Sequence, residues 1–242
     1  RGIRFIEANV RDLDPVRKTF SYEQDGTAHT DLLYDYLVVA TGAAMQPGEI
    51  PGLSQHAHTI GTPADMLRLR AVLEQVRERA KFGRVQKLLL SLPENTLYGN
   101  ALYEIAFMID SWLREANVRD RVTLTFITAE KSYLEDFGPQ VHEMARSQFD
   151  ARGIVHHACR SLRSVEENVA YFARTEVHSF DVMIAMPPFV ASVPFPALPS
   201  DARGFVDAQL ASRRVKKLND IFGVGDSCDF PVKQAFLALQ QA

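Results

Sequence analysis

Asp35-Tyr36-Leu37-Val38-Val39-Ala40-Thr41-Gly42 carries an apolar run that stops on a Thr-Gly turn. A run this short, ended by glycine, reads as a buried parallel strand, because strands covered on both faces lose the apolar–polar alternation. A stretch of the same kind, Asp220-Ile221-Phe222-Gly223-Val224-Gly225-Asp226, lies toward the other end of the chain and closes on Gly-Asp. The two ends are alike in style, and the residues between them follow another rhythm. The expectation is one sheet built from head and tail, with the middle of the chain as an inserted guest.

Working outward from the first strand, residues 3–10, 17–22 and 27–33 read as short strands, with Asp25-Gly26 as a hairpin turn between the last two. After a Gly- and Pro-rich loop, residues 63–80 form an amphipathic helix with Leu69, Val72, Leu73 and Val76 on one face. Strands are expected at 85–92, 122–128 and 154–158, with helices between them, one marked by Leu102, Ile105, Ile109, Trp112 and Leu113 and one over 139–152. This β-α-β-α-β order argues for a parallel sheet covered by helices. Two hairpin-like runs, 161–166 and 169–175, precede a last buried strand at 182–185. Residues 187–199 hold five prolines and read as an extended, linker-like segment. A closing helix is expected from near Val232, with Phe236 and Leu239 facing inward.

Composition narrows the function classes. The chain of 242 residues has a formal net charge of -3, which gives no field for gripping nucleic acid. The basic residues between Arg68 and Arg84 alternate with Asp65, Glu74 and Glu78, as on a solvated helix face. No apolar run approaches bilayer length, and the opening Arg1-Gly2-Ile3-Arg4-Phe5 shows no targeting pattern. Two cysteines, Cys159 and Cys228, make no disulfide framework. Cys159 reads as a small buried hydrophobe. His156-His157 with Cys159 offers at most two ligands on one strand face, because His156 points the other way, so no metal is expected.

Three segments together resemble the FAD-dependent pyridine nucleotide-disulfide oxidoreductases, nearest the sulfide:quinone reductase and type II NADH dehydrogenase group. Residues 35–42 resemble the strand and turn that this family places close to FAD. Gly204-Phe205-Val206-Asp207 followed by residues 220–226 resembles the second FAD motif, whose aspartate accepts a hydrogen bond from a ribityl hydroxyl. Residues 3–13 resemble the strand whose valine, here Val10, lies against the adenine, and Met186-Pro187-Pro188-Phe189 is similar to a segment of the sulfide:quinone reductase branch. The resemblance implies an α/β fold, in which a Rossmann-like nucleotide-binding domain (residues 46–203) is inserted in an incomplete FAD-binding domain (1–45 and 204–242). It implies Val10, Thr41, Gly42, Gly225, Asp226 and Lys233 as FAD contacts. Lys233 would act together with a helix N-terminus near Val232.

The resemblance further implies an oxidoreductase that passes two electrons through flavin from a reduced donor such as NAD(P)H to a quinone or other acceptor. The expected partners are a small-molecule donor, a small-molecule acceptor and a second copy of the chain, in a cytoplasmic protein able to touch a membrane peripherally. Three departures stand beside this. The first Gly-rich FAD fingerprint is absent, so the chain reads as an internal piece of the family pattern. The second fingerprint, for NAD(P)H, falls on Leu97, Gly99 and Leu102, of which only Gly99 keeps the glycine. Tyr98 stands where the sulfide:quinone reductase branch carries a redox cysteine, which argues against sulfide oxidation. Glu130, after the strand at 122–128, falls where a ribose-binding acid belongs and otherwise reads as an exposed loop residue. The alternative reading is a non-catalytic structural or interaction module that keeps the scaffold without nucleotide binding.

Overall fold

The computed structural model describes residues 2–230 and 232–241, so Arg1, Pro231 and Ala242 lie outside the described residues. The chain divides into two compact units, one made of Arg1–Ala44 with Val190–Ala242 and one of Met45–Phe189. In chain order the elements begin with β1 (Asn9–Asp14), β2 (Thr19–Gln24), β3 (Thr27–Leu33), β4 (Leu37–Val39) and β5 (Ala43–Met45). The second unit continues with α1 (Leu53–His56), α2 (Pro63–Lys81), β6 (Gln86–Leu92), α3 (Gly99–Glu115), β7 (Val122–Thr128), α4 (Pro139–Arg152) and β8 (Val155–His157). It closes with β9 (Leu162–Glu166), β10 (Val169–Phe172), β11 (Val177–Ser179) and β12 (Val182–Ala185). The chain then runs through β13 (Phe189–Ala191) to β14 (Ile221–Gly223) and α5 (Ala235–Gln241).

In the first unit, head and tail do share a sheet. β4 and β14 pair in parallel, with Leu37, Val38 and Val39 opposite Ile221, Phe222 and Gly223. β1, β2 and β3 form a separate antiparallel meander. Asp25 and Gly26, both at positive φ, form the two-residue hairpin turn between Gln24 and Thr27. The first strand begins later than the apolar residues suggest: Ile3 and Phe5 are fully or mostly exposed, and pairing with β2 starts at Asn9. The one residue of β1 that enters the core is Leu13, beside Val39, Phe195, Leu198, Val206, Val215 and Ile221. Phe195 and Leu198 make the proline-rich segment part of this core rather than a linker. Residues 190–203 therefore pack with the first unit, and the boundary falls before them instead of after residue 203.

The second unit is a four-stranded parallel sheet in the order β12-β6-β7-β8. β6 is buried along both faces, as an unbroken Leu88-Leu89-Leu90 run requires. One face carries Leu89, Ile127 and Met183 against the antiparallel meander β9-β10-β11. On the other, the Phe126 ring meets Tyr103 of α3 at 4.4 Å and Phe149 of α4 at 5.0 Å. α2 starts on a capping box: the Thr62 hydroxyl accepts from the Asp65 N–H, and the Asp65 carboxylate accepts from the Thr62 N–H.

The helices are tied to the sheet by one buried anion. Asp110 of α3 is fully buried and receives Arg114 Nε at 2.9 Å, Arg119 Nε at 2.5 Å and Arg152 Nη1 at 3.0 Å. Arg119 and Arg114 also donate to the Arg152 carbonyl at the end of α4, and Arg119 to the Val122 carbonyl at the start of β7. Three arginines hold the Asp110 carboxyl below the usual range against its burial. Asp110→Ala should therefore cost about 3–5 kcal/mol, because it leaves three partly buried guanidiniums facing each other. Chemical denaturation of the two chains checks this, and a loss under about 1 kcal/mol would show the cluster to be a surface network.

Candidate functional site

The parallel register of β4 and β14 puts the turns that follow them at the same end of the sheet. In open α/β sheets that carboxyl end is where ligands bind. One carbonyl ties the end of β4 to the turn after β14: Val39 O accepts the Val224 N–H at 3.0 Å and the Ser227 hydroxyl at 2.9 Å. Gly204-Phe205-Val206-Asp207 is brought to the same place, since Val206 N–H donates to Ser227 O at 2.8 Å and Asp229 N–H donates to Val206 O at 3.1 Å. The two halves of the second FAD motif are thus adjacent.

Thr41 and Gly42 follow β4. Gly42 sits at φ +73 with open space where a Cβ would stand, so its backbone is accessible to a neighbour. The Thr41 hydroxyl is buried and has no hydrogen-bond partner among the described residues. A buried hydroxyl without a partner costs free energy, so this atom marks a place where something polar is wanted. On the other turn Gly225 sits at φ +62 with its N–H taken by the Gln241 side chain at 2.9 Å, and Ala238 lies against it.

Asp226 and Lys233 form the charged part of the site. Asp226 is half-buried, and burial raises its carboxyl above the usual range while the Lys233 charge opposes that. Lys233 is 7% exposed, its ammonium 3.4 Å from the Asp226 carbonyl and 4.5 Å from the centre of the buried Phe205 ring. Burial lowers its pKa, and Asp226 partly restores it. Lys233 is thus buried rather than solvated.

The helix expected from Val232 begins instead at Ala235 and spans 7 residues. Lys233 lies before it, and its inward contacts are Ala238 and Gln241, with Phe236 and Leu239 exposed. The expected pairing of Lys233 with a helix N-terminus at Val232 is therefore not seen among the described residues. Val10 lies in β1 opposite Tyr22, 38% exposed and away from the buried core.

Sequence reading missed three members of this site. Ser227 carries the strand-joining hydrogen bond, Phe205 faces the ammonium and Gln241 occupies the Gly225 amide. Phe205 stood inside the motif segment at 204–207 and Ser227 next to Asp226, while Gln241 had no signal. Buried Cys228 packs under the β14 glycine, where a Cβ on Gly223 would meet its sulfur at 2.5 Å.

The second unit places its own candidates at the carboxyl ends of β6 and β7. Tyr98 is at φ 59 and its ring meets Phe189 edge-on at 5.7 Å. A Cβ at Gly99 would stand 2.9 Å from the Leu92 side chain, and Leu102 is wholly buried. Glu130 is not an exposed loop residue. Its carboxyl is half-buried and takes hydrogen bonds from the Tyr103 hydroxyl and, at 2.7 Å, from the Thr128 hydroxyl. Cys159, expected to be buried, is exposed at φ 58 at the end of β8. His156 is held by the Tyr133 hydroxyl at 2.7 Å and by Asp150 at 3.1 Å.

Comparison with known proteins adds relatives to this geometry. No protein-family profile matches the chain. The sulfide-quinone reductase of Aquifex aeolicus is 32% identical over 137 residues, covering 57% of this chain and 29% of that protein. The external alternative NAD(P)H-ubiquinone oxidoreductase B1 of Solanum tuberosum mitochondria is 28% identical over 175 residues, covering 65% of the chain and 30% of that protein. The mitochondrial sulfide:quinone oxidoreductase of Dictyostelium discoideum is 22% identical over 247 residues, 99% of the chain and 53% of that protein. The chain thus spans about half, or less, of the length of the relatives it matches. Among solved structures, the sulfide:quinone oxidoreductase of Aquifex aeolicus superposes with a TM-score of 0.77 at 21% identity, over 94% of this chain and 53% of that one. The NDH2 of Plasmodium falciparum superposes at 0.66 and 16% identity, over 92% and 50%. The chain is therefore a relative of the sulfide-quinone reductases and external NAD(P)H-ubiquinone oxidoreductases, and it has the fold of the FAD-dependent pyridine nucleotide-disulfide oxidoreductases.

Proposed function

We propose that this chain is part of a quinone-linked flavin oxidoreductase whose FAD is held by the first unit, at the turns after β4 and β14. The observation that carries the reading is the buried, unpartnered Thr41 hydroxyl beside the accessible Gly42 backbone, at the carboxyl end of the β4–β14 pair. These residues fit a cofactor that brings its own hydroxyls and ring edge. Asp226 would accept from a ribityl hydroxyl, Thr41 would find its missing partner, and Lys233 would hold positive charge next to a ring that gains negative charge on reduction. Bound FAD would supply the two-electron transfer between a reduced donor and a quinone. The residues of the chain orient it and exclude water: Phe205 and Lys233 are buried, and the carbonyl of Val39 fixes both turns.

The second unit fits NAD(P)H less well. A dinucleotide pyrophosphate needs close backbone approach at the glycine-rich turn. Here Leu92 lies against Gly99, Leu102 fills the helix–strand contact, and the Glu130 carboxyl takes its hydrogen bonds from the protein itself. No step is therefore assigned to NAD(P)H in this chain. The same crevice favours a second reading, a scaffold module that has lost nucleotide binding.

Flavin titration separates the two. FAD should raise the melting temperature of the chain and quench its own fluorescence on binding. Thr41→Val should leave the stability of the cofactor-free chain unchanged or slightly higher, because it removes an unsatisfied hydroxyl, while weakening FAD binding roughly tenfold. Asp226→Asn should weaken it as well. A chain that stays colourless and gains no thermal stability from FAD or NADH would be the scaffold module.

Glu130 gives a pH signature for its crevice. Burial, the largest influence, raises its pKa above the ordinary 4.5, so the folded chain keeps this proton where the unfolded chain releases it. The stability it contributes is full below the unfolded value and is lost as pH rises through the raised folded value. Glu130→Gln should remove that downward slope from the stability profile measured by denaturant over about pH 4–8. An unchanged slope would mean that the carboxyl is solvated.

A further inference from the structure

In the second unit, the half-buried side chains of His157, Glu176 and His178 converge so that one ligand-type atom from each lies within 4.8 Å of the others. His157 belongs to β8, the edge strand of the parallel sheet, and His178 to β11, an edge strand of the antiparallel meander. Glu176 is extended, at φ -78 and ψ 134, so it and His178, two residues on, point to the same side. The two imidazole rings stand 5.7 Å apart. His178 Nε2 is 2.8 Å from Glu176 Oε1, while the other carboxylate oxygen is held by Arg160 Nε at 2.5 Å.

We propose that His157, Glu176 and His178 form a binding site for a divalent transition metal of the zinc class, with water in the remaining position. Two imidazoles and one carboxylate oxygen suit Zn²⁺ and its neighbours, whereas Ca²⁺ or Mg²⁺ would need a shell of oxygens. Bonds of the usual length around a tetrahedral zinc set ligand atoms about 3.3 Å apart. The three ligand atoms, now within 4.8 Å of one another, would close to that spacing as the ion binds. Arg160 fixes the carboxylate by one oxygen and leaves Oε1 facing His178, the role a supporting hydrogen bond plays around a metal ligand. Binding replaces the hydrogen that His178 and Glu176 share with the metal, and that proton goes to solvent.

A bound ion would clip the edge of the parallel sheet to the meander within the same unit. The pattern escaped the sequence because the partner of His157 is not its neighbour His156 or Cys159 but a pair of residues about twenty positions on, brought in from another strand.

The test uses the full, untagged chain, freed of metal with a chelator and titrated with Co²⁺ and then Zn²⁺. The expected result is one Co²⁺ per chain with a visible absorption band, displaced by Zn²⁺, and a melting temperature that rises with Zn²⁺. His157→Gln and His178→Gln should each lower the affinity at least about tenfold. His156→Gln, whose ring is held by Tyr133 and Asp150, should not change it. No absorption band and no thermal shift in the unsubstituted chain would overturn the site, as would an equal loss in His156→Gln. X-ray absorption at the cobalt edge of the unsubstituted chain guards against misfolded variants. Two imidazoles with an oxygen support the assignment, and a sulfur ligand or a single imidazole overturns it.

Discussion

The carbonyl of Val39 is the constraint on which the first unit turns. It closes a parallel pair of two three-residue strands separated by most of the chain, and it accepts from both Val224 and Ser227. Parallel strands cannot be joined by a tight turn, so the pair exists only because an entire second unit provides the return path. Loop-closure entropy rises slowly with loop length, and a compact insertion costs less than its residue count suggests. The three paired residues on each side are few, and buried Ile221, Val215 and Val206 supply the packing that keeps them together. Once the pair is made, the turns after both strands are fixed relative to one another.

How much of this was legible depended on which interactions are local. The strand at Val122–Thr128, the helix at Pro139–Arg152 and the strand at Val182–Ala185 were readable to the residue, since periodicity, Pro at the first helical turn and apolar runs are all in the sequence. β1 was misplaced because only Leu13 of its six residues is buried, leaving the hydrophobic signal to Ile3 and Phe5, which stay exposed. The last helix was misplaced for a similar reason. Phe236 and Leu239 look like an inward face, but Ala238 and Gln241 are what pack on Gly225. At the candidate site, Thr41, Gly42 and Asp226 were proposed from a resemblance and from turn chemistry. The burial of Lys233 against Phe205, the capture of the Gly225 amide and the hydroxyls around Glu130 are tertiary facts with no local trace.

The two units treat the carboxyl ends of their parallel strands differently. In the first, a hydroxyl is left without a partner and a glycine backbone stays open. In the second, the comparable place is closed by the chain itself, with Leu92 on Gly99 and two hydroxyls on Glu130. Polar groups already satisfied internally gain little from a ligand, while an unsatisfied one gains the whole hydrogen bond. The same architecture thus offers an incomplete site in one unit and a self-satisfied one in the other.

The cluster around Asp110 has a bearing on how this sequence can drift. One carboxylate faces three guanidiniums that differ in exposure, with Arg114 half in solvent and Arg119 nearly covered. Exchange of Arg114 still leaves the anion two cations, and its own site can be filled by water. Exchange of the aspartate removes the counterion that three like charges share among the described residues. Substitution should therefore be permissive on the cationic side, graded by exposure, and forbidding on the anionic side, so that a lineage could lose an arginine here in one step but could surrender the acid only after its partners had gone.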